Sequence, residues 1–290
     1  MSTVLARTPT PAPKPAVSAV EMGARQREIS VSEFFTKNRH LLGFDKPRKA
    51  LLTCVKEAVD NALDAAEEAG ILPDVVVTVE VAPVNGEAPP AASQATRFRV
   101  TVIDNGPGIV RQQIPPIFAK LLYGSKFHRL RMSRGQQGIG ISAAGMYAQL
   151  TTGKPVQITS RTGARAASHY FEVSIDTKKN EPRIFENKKI DWEHPRGTQV
   201  TLEIEGRYQK GRASVDEYLE QVAIANPHVD LVYHTPEGDT RTYPRTIHEL
   251  PPQPREIKPH PYGIEFGVLL RMLHDTRSHA LAGFLAGDFS

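Results

Sequence analysis

One cysteine, Cys54, is the only thiol in 290 residues. No internal disulfide can form, so the framework of a small secreted scaffold is excluded, and this usage fits a reducing cytosol. Cys54 falls in a helical apolar pattern and reads as a small buried residue rather than a nucleophile. No run approaches the roughly 20 apolar residues of a membrane span. The N-terminus lacks the apolar core of a signal peptide. The expected location is therefore cytoplasmic, with no membrane partner. No Gly-x-x-x-x-Gly-Lys-Ser/Thr run occurs, which excludes a P-loop enzyme. No internal repeat is present. Neither sign of charge dominates: 36 Lys and Arg against 32 Asp and Glu give a net charge of +4. That mild excess suits nucleic acid and suits an ordinary basic surface equally well.

What is present is a hydrophobic content of 40%, enough for a sizeable core. Residues 1–25 read as a disordered tail, because Pro9, Pro11, Pro13 and Pro15 alternate with small residues and no apolar period develops. Order is expected from Ser30, where Ser30 and Glu33 have capping-box spacing. Residues 47–70 form the clearest helix. Pro47 suits a first helical position, and Leu51, Val55, Ala58, Val59, Ala62 and Ala66 fall on one face. Gly70 is a fitting stop. Strands are expected at 74–82, 97–104, 155–162, 169–175, 198–204 and 229–234, with a helix from Val215 to Ala225. Strands joined in succession by short loops favour antiparallel pairing. With helices on the other face, the fold class is α+β, a two-layer α/β sandwich. The prolines at 251–261 mark a boundary, and an apparently helical segment follows it. The expected domains are therefore 26–250 and 251–290.

Three motifs carry the chemistry. Glu57, Asn61 and Asp64 recur at i, i+4 and i+7, which places them on one side of the first helix, opposite its apolar stripe. A solvated polar face would look the same. Yet Asp60, Asn61 and Asp64 are poor helix formers in mid-helix, a local cost that functional sites often carry. An amide oxygen such as that of Asn61 suits Mg²⁺, which takes few protein oxygens. Glu57, one turn away, could accept a proton from water attacking a phosphate. Asp104 ends a strand and enters Asn105-Gly106-Pro107-Gly108. There a carboxylate can accept from the exocyclic amine of adenine while Gly106 and Gly108 let the base approach. The alternative is a plain Asp-Asn-Gly turn. Gly135, Gly138 and Gly140 follow the basic segment from Ser125 and Lys126 to Arg131 and precede a helix starting near Ile141. Free N–H groups at such a junction bind phosphate. The run does not follow a strand in a βαβ unit, which argues against a dinucleotide fold.

Glu-x-x-x-Asn on a helix, Asp-x-Gly-x-Gly and Gly-x-x-Gly-x-Gly, in that order, resemble the Bergerat-fold ATPases. These include gyrase B, the MutL proteins, the heat-shock chaperone ATPase and histidine kinases. The match extends further: Ser32-Glu33-Phe34-Phe35 with Asn38, Leu122-Tyr123-Gly124-Ser125-Lys126-Phe127-His128, Ser133 to Ser142, and Lys258-Pro259-His260-Pro261-Tyr262-Gly263 are similar to the topoisomerase VI B-subunit family. The resemblance implies a mixed, mostly antiparallel sheet with helices on one face. It implies Glu57 as general base, Asn61 as Mg²⁺ ligand, Asp104 as reader of adenine, and Asp64, Gly106 and Gly108 beside the nucleotide. Ser125 and Lys126 would belong to an ATP lid. Gly135, Gln136, Gln137, Gly138, Ile139, Gly140 and Ile141 would cradle phosphates. Thr198, after Gly197, matches a further box near adenine; a glycine opening a strand is the alternative.

The implied cofactors are ATP and Mg²⁺. The implied activity is that of a type IIB DNA topoisomerase. In that family ATP-driven homodimerisation gates passage of double-stranded DNA through a break made by the DNA-cleaving A subunit of topoisomerase VI, in an A₂B₂ assembly. A prokaryotic cytoplasm and its nucleoid are the implied setting. Family members continue through a helix–two-turn–helix domain and a transducer domain whose lysine reaches the γ-phosphate, so this chain is expected to stop inside the first. Three other readings compete. A MutL-like or chaperone ATPase is disfavoured by the lid sequence. A nucleotide-gated dimerisation module without useful turnover fits the missing lysine. A histidine kinase lacks its phospho-accepting helix here.

Overall fold

The computed structural model describes residues 37–83, 90–124, 138–255 and 257–289, together with Glu33, Phe35 and Arg134. The tail expected at 1–25, the capping Ser30, and Ser125, Lys126, Gly135, Gln136 and Gln137 lie outside the described residues.

The first long helix, α1, spans Pro47–Glu68, with Pro47 in its first turn. Its expected stripe is buried: Leu51, Val55, Ala58, Val59, Ala62 and Ala66 are all 3% exposed or less. Each such valine or leucine contributes about 1.5–3 kcal/mol by leaving water. Gly70 adopts φ +71°, and its N–H donates to Glu67 O at 3.1 Å, which closes the helix as its sequence position predicts. Cys54 faces the same core with no exposure, and burial pushes its thiol up to about 12. It is therefore an inert packing residue rather than a nucleophile.

The strands are β1 Asp74–Val81, β2 Arg97–Asp104, β3 Val156–Arg161, β4 Ser168–Asp176, β5 Glu181–Ile190, β6 Gly197–Glu205, β7 Asp230–His234 and β8 Thr240–Tyr243. They form one sheet in the order β5-β4-β3-β6-β2-β1-β7-β8. Only the β1–β7 pairing among them is parallel, so the sheet is mixed and mostly antiparallel, as expected. β5 and β8 are not legible in the sequence pattern. β5 is a solvent-facing edge strand rich in charge and carrying Pro182, and β8 has only four residues.

Helices α2 (Ile114–Ala119), α3 (Gly140–Thr152) and α4 (Val215–Ala225) join α1 in the second layer. α1 packs on β1, β2 and β6, and α3 packs on β3, β4 and β6. Inward positions alternate along each strand: Val75, Val77 and Val79 on β1, Phe98, Val100 and Val102 on β2, Val200, Leu202 and Ile204 on β6. The opposite face is polar where β1, β2 and β6 meet. There Thr101 and Thr201 share a hydrogen bond of 3.0 Å, and Arg99 bridges Glu80 and Glu203. Past the prolines, α5 (Phe266–Asp275) and α6 (Leu281–Asp288) follow, tied by Thr276 Oγ1 donating to Asp288 Oδ2 at 2.6 Å.

Candidate functional site

Asp104 is the last residue of β2, at the end of the inward-facing row Phe98, Val100, Val102. Strand register places two more polar side chains beside it. Thr198 pairs with Asp104 across β6, and Ser160 pairs with Thr198 across β3. Three neighbouring strands thus end their apolar inner face on one row of oxygen-bearing side chains. Asp104 Oδ1 accepts from the N–H of Gly106 at 2.8 Å and of Thr198 at 3.2 Å. Among the described residues both of these bonds go to Oδ1 and none goes to Oδ2. Burial pushes the Asp104 carboxyl up to about 6, against the pull of those two N–H bonds.

Two glycines make this row possible. Gly197 has φ +122°, and a side chain there would overlap the Asp104 carbonyl, so only glycine brings Thr198 N–H against the Asp104 carboxylate. Gly108 has φ +70°, and a Cβ there would run into the Arg161 carbonyl. Asn105 is structural. Its side chain accepts from Asp74 N at 3.0 Å and donates to Leu72 O at 3.0 Å, tying the turn to the start of β1.

Ser160 is a site residue that sequence reasoning missed. It is 1% exposed. Its Oγ accepts from Ile109 N at 2.8 Å, donates to Gly197 O at 3.1 Å and lies 3.0 Å from Thr198 Oγ1. It therefore fixes both the glycine turn and the Thr198 hydroxyl. The available signal was a serine at an inward-facing strand position, two residues after Ile158.

The second half of the site is the polar face of α1. Glu57 and Asn61 are half-buried. Gly140, the first residue of α3, packs directly on the Glu57 carboxylate, and a methyl group at 140 would overlap it. α3 has no side-chain cap and no acidic residue in its first turn. The first-turn N–H groups and the positive end of its dipole therefore lie on the Glu57 side. Gly138, Ile139, Gly140 and Ile141 lead into that turn, with Gly138 at φ +58°. Ile139 O accepts from Ala143 N at 2.8 Å and Ser142 Oγ at 3.0 Å. The Ile141 side chain is 8% exposed and belongs to the core, so only its backbone is available to a ligand.

Asp64 departs from the expected open polar face. It is 6% exposed. Its Oδ1 is taken by Arg134, whose guanidinium lies at 3.1 Å and whose backbone N–H lies at 3.4 Å. The same guanidinium forks Glu67 at 2.7 and 2.8 Å and donates to Asn226 Oδ1 at 2.6 Å. His228 Nε2 lies 2.8 Å from Glu67 Oε1. Asp60 is likewise occupied, by Lys56 at 2.6 Å and Tyr218 Oη at 2.9 Å. Among the described residues, no group of three or more His, Cys, Asp or Glu side chains forms a cage for a metal ion. No helix there is long and apolar enough to cross a membrane.

The family model described as histidine kinase-, DNA gyrase B-, and HSP90-like ATPase matches residues 47–207, which run from the start of α1 to just beyond β6. The chain is 50% identical over 272 residues to the B subunit of type 2 DNA topoisomerase 6 from Natronomonas pharaonis, covering 94% of this chain and 32% of that one. It is 51% identical over 274 residues to the same protein from Methanosarcina acetivorans, covering 93% of this chain and 42% of that one. The chain thus spans less than half the length of these relatives. Among solved structures it is similar to the 43K ATPase domain of Thermus thermophilus gyrase B in complex with an aminocoumarin. That match has a TM-score of 0.46 and 16% identity, over 78% of this chain and 53% of that one. The family model covers more than half of the chain, and this chain therefore belongs to the histidine kinase-, DNA gyrase B- and HSP90-like ATPases.

Proposed function

We propose that this chain binds and hydrolyses ATP as part of the B subunit of a prokaryotic type IIB DNA topoisomerase. The observation that carries the reading is the Asp104 carboxylate, held by Gly106 and Thr198 N–H groups through Oδ1 with Oδ2 left for a donor. Adenine offers an amine donor on the matching edge, and guanine offers a carbonyl. The relatives' name supports the wider role. In that role, residues 26–250 act as the ATPase domain, and residues 251–290 as a linker leading into a helix–two-turn–helix segment. The partners are the DNA-cleaving A subunit of topoisomerase VI, double-stranded DNA and a second copy of the chain that pairs when ATP is bound. The setting is the nucleoid of a prokaryotic cytoplasm.

The residues divide the work. Asp104 reads adenine, with Gly106, Gly108 and Thr198 shaping its slot. The N–H groups at the start of α3 receive phosphate oxygens. Glu57 takes the proton from the attacking water. Mg²⁺ fits the donor set in one respect: Asn61 presents a neutral amide oxygen between Glu57 and Asp64, and this ion fills most of its shell with phosphate and water. When bound, it would neutralise charge on the phosphates. Titration calorimetry with Mg²⁺ present tests the reading. ATP should bind at least about tenfold more tightly than GTP, the scale of one charge-assisted hydrogen bond. Equal affinities would overturn it.

The raised Asp104 pKa adds a pH dependence. A protonated carboxyl no longer accepts well from the adenine amine. ATP affinity should therefore fall as pH drops through about 6, by about tenfold between pH 7 and pH 5. The nucleotide's own phosphate titrates nearby, so Asp104→Asn is the reference. A pH profile shared by parent and variant would show that Asp104 is not the titrating group.

A further inference from the structure

Asp104 on β2, Thr198 on β6 and Ser160 on β3 share one row across the sheet. Ser160 is 1% exposed and Thr198 8%, so their hydroxyl protons have little bulk water to turn toward. A serine hydroxyl has one proton to give and two lone pairs to receive. The Ser160 proton goes to Gly197 O at 3.1 Å, and one lone pair takes the N–H of Ile109 at 2.8 Å. Thr198 Oγ1 stands 3.0 Å from the same serine oxygen. With the serine proton already spent, the proton in that contact comes from Thr198. The Thr198 backbone N–H is spent as well, on Asp104 Oδ1 at 3.2 Å. What Thr198 has left for a ligand is a pair of lone pairs. Together with the ionised Asp104 carboxylate, the row offers acceptors and no hydroxyl donor.

From this we infer that Ser160 is a positioning residue that sets base specificity: it takes the Thr198 proton and so keeps the base-reading row free of hydroxyl donors. The inference rests on the ATPase reading above and deepens it. An amine at purine position 6 has hydrogens to give and suits such a row. A carbonyl at that position sets acceptor against acceptor and needs a donor. A threonine hydroxyl free to rotate would supply that donor, and the slot would then tolerate either base. Held by Ser160, the hydroxyl turns only by giving up its present bond, and in a buried site water does not relieve the mismatch. Selection thus depends on a side chain that acts through Thr198 rather than on the base. Gly197 completes the arrangement. Its φ of +122° places both the carbonyl that takes the Ser160 proton and the threonine that follows.

The test measures ATP and inosine triphosphate by calorimetry on the parent chain, Ser160→Ala, Thr198→Val and the double variant. Inosine triphosphate carries the carbonyl at position 6 without the second amine of guanine, so it isolates that edge. Any general loosening of the turn lowers both affinities and cancels in their ratio. In Ser160→Ala the freed Thr198 hydroxyl can donate to the carbonyl, and the ATP-to-inosine triphosphate ratio should fall by about three- to tenfold, the scale of one neutral hydrogen bond. Thr198→Val keeps the shape and the backbone N–H but removes the acceptor, so its ratio should fall as well. Adding Ser160→Ala to Thr198→Val should change the ratio no further, because the hydroxyl that Ser160 directs is gone. A ratio unmoved in Ser160→Ala, or lowered equally with and without the Thr198 hydroxyl, would make Ser160 a cross-link between strands only. A ratio that holds or rises in Thr198→Val would overturn the inference even where Ser160→Ala does not fold. A parent chain that binds neither nucleotide, or both equally, would overturn the ATPase reading and this inference together. A parent that prefers ATP, with a ratio insensitive to these variants, would overturn this inference alone.

Discussion

Replacing Glu57 by Gln should lower ATP turnover by about 10²- to 10⁴-fold and leave nucleotide affinity within a few-fold, the effect of deleting a general base. Glutamine is the informative substitution here because Gly140 packs on this side chain. An amide of the same shape keeps that contact and the start of α3 in place. Alanine would open a gap at the same point and confound loss of the base with movement of the phosphate-binding turn. Glu57→Ala should therefore lose as much turnover as Glu57→Gln and more of its affinity. Steady-state hydrolysis and calorimetry on the same samples would separate the two effects. Hydrolysis by Glu57→Gln at the parent rate would reduce Glu57 to a packing partner of Gly140.

Much of this architecture was legible because local pattern and burial agree. The α1 stripe has helical period and is buried over its whole length. β1 and β2 alternate with period two and pair in register from Val75–Asp104 to Val81–Phe98. α2 was not legible: two of its six residues are proline, and they are tolerated because they sit in its first turn. Glu57, Asn61 and Asp104 could be singled out as candidates because each stands in a recognisable contiguous pattern.

Residues recruited by long-range pairing were not found. Ser160 enters the site only because β3 lies against β6 and β6 against β2, an order that chain sequence does not reveal. Glu67 meets Arg134 across 67 positions and His228 across 161. The same long-range contact explains Asp64. A carboxylate that looks solvated on a helical wheel is buried once Arg134 is laid over it.

Asp104→Asn should weaken ATP and strengthen the fold. Asparagine keeps an oxygen for the Gly106 and Thr198 N–H groups, so the turn survives. Its amide nitrogen then replaces Oδ2 and meets the adenine amine as donor against donor. ATP affinity should fall by about 1–3 kcal/mol, the cost of losing a charged hydrogen bond, and the preference over GTP should disappear. Stability runs the other way. A carboxyl raised from 3.8 to about 6 by burial binds its proton more tightly folded than unfolded. Its favourable contribution is complete below pH 3.8 and is lost as pH rises through 6, so at neutral pH ionised Asp104 destabilises the fold. The shift corresponds to at most about 3 kcal/mol, and about 1–2 kcal/mol once partial exposure of the side chain is allowed for. Asparagine carries no such penalty. The variant should melt several degrees higher than the parent at pH 8 and show a smaller gain at pH 5. Melting scans at the two pH values, paired with calorimetry, measure both sides. A variant that binds ATP as the parent does would remove Asp104 from base recognition. A variant less stable at pH 8 would mean that the carboxylate is held for the fold rather than for the nucleotide.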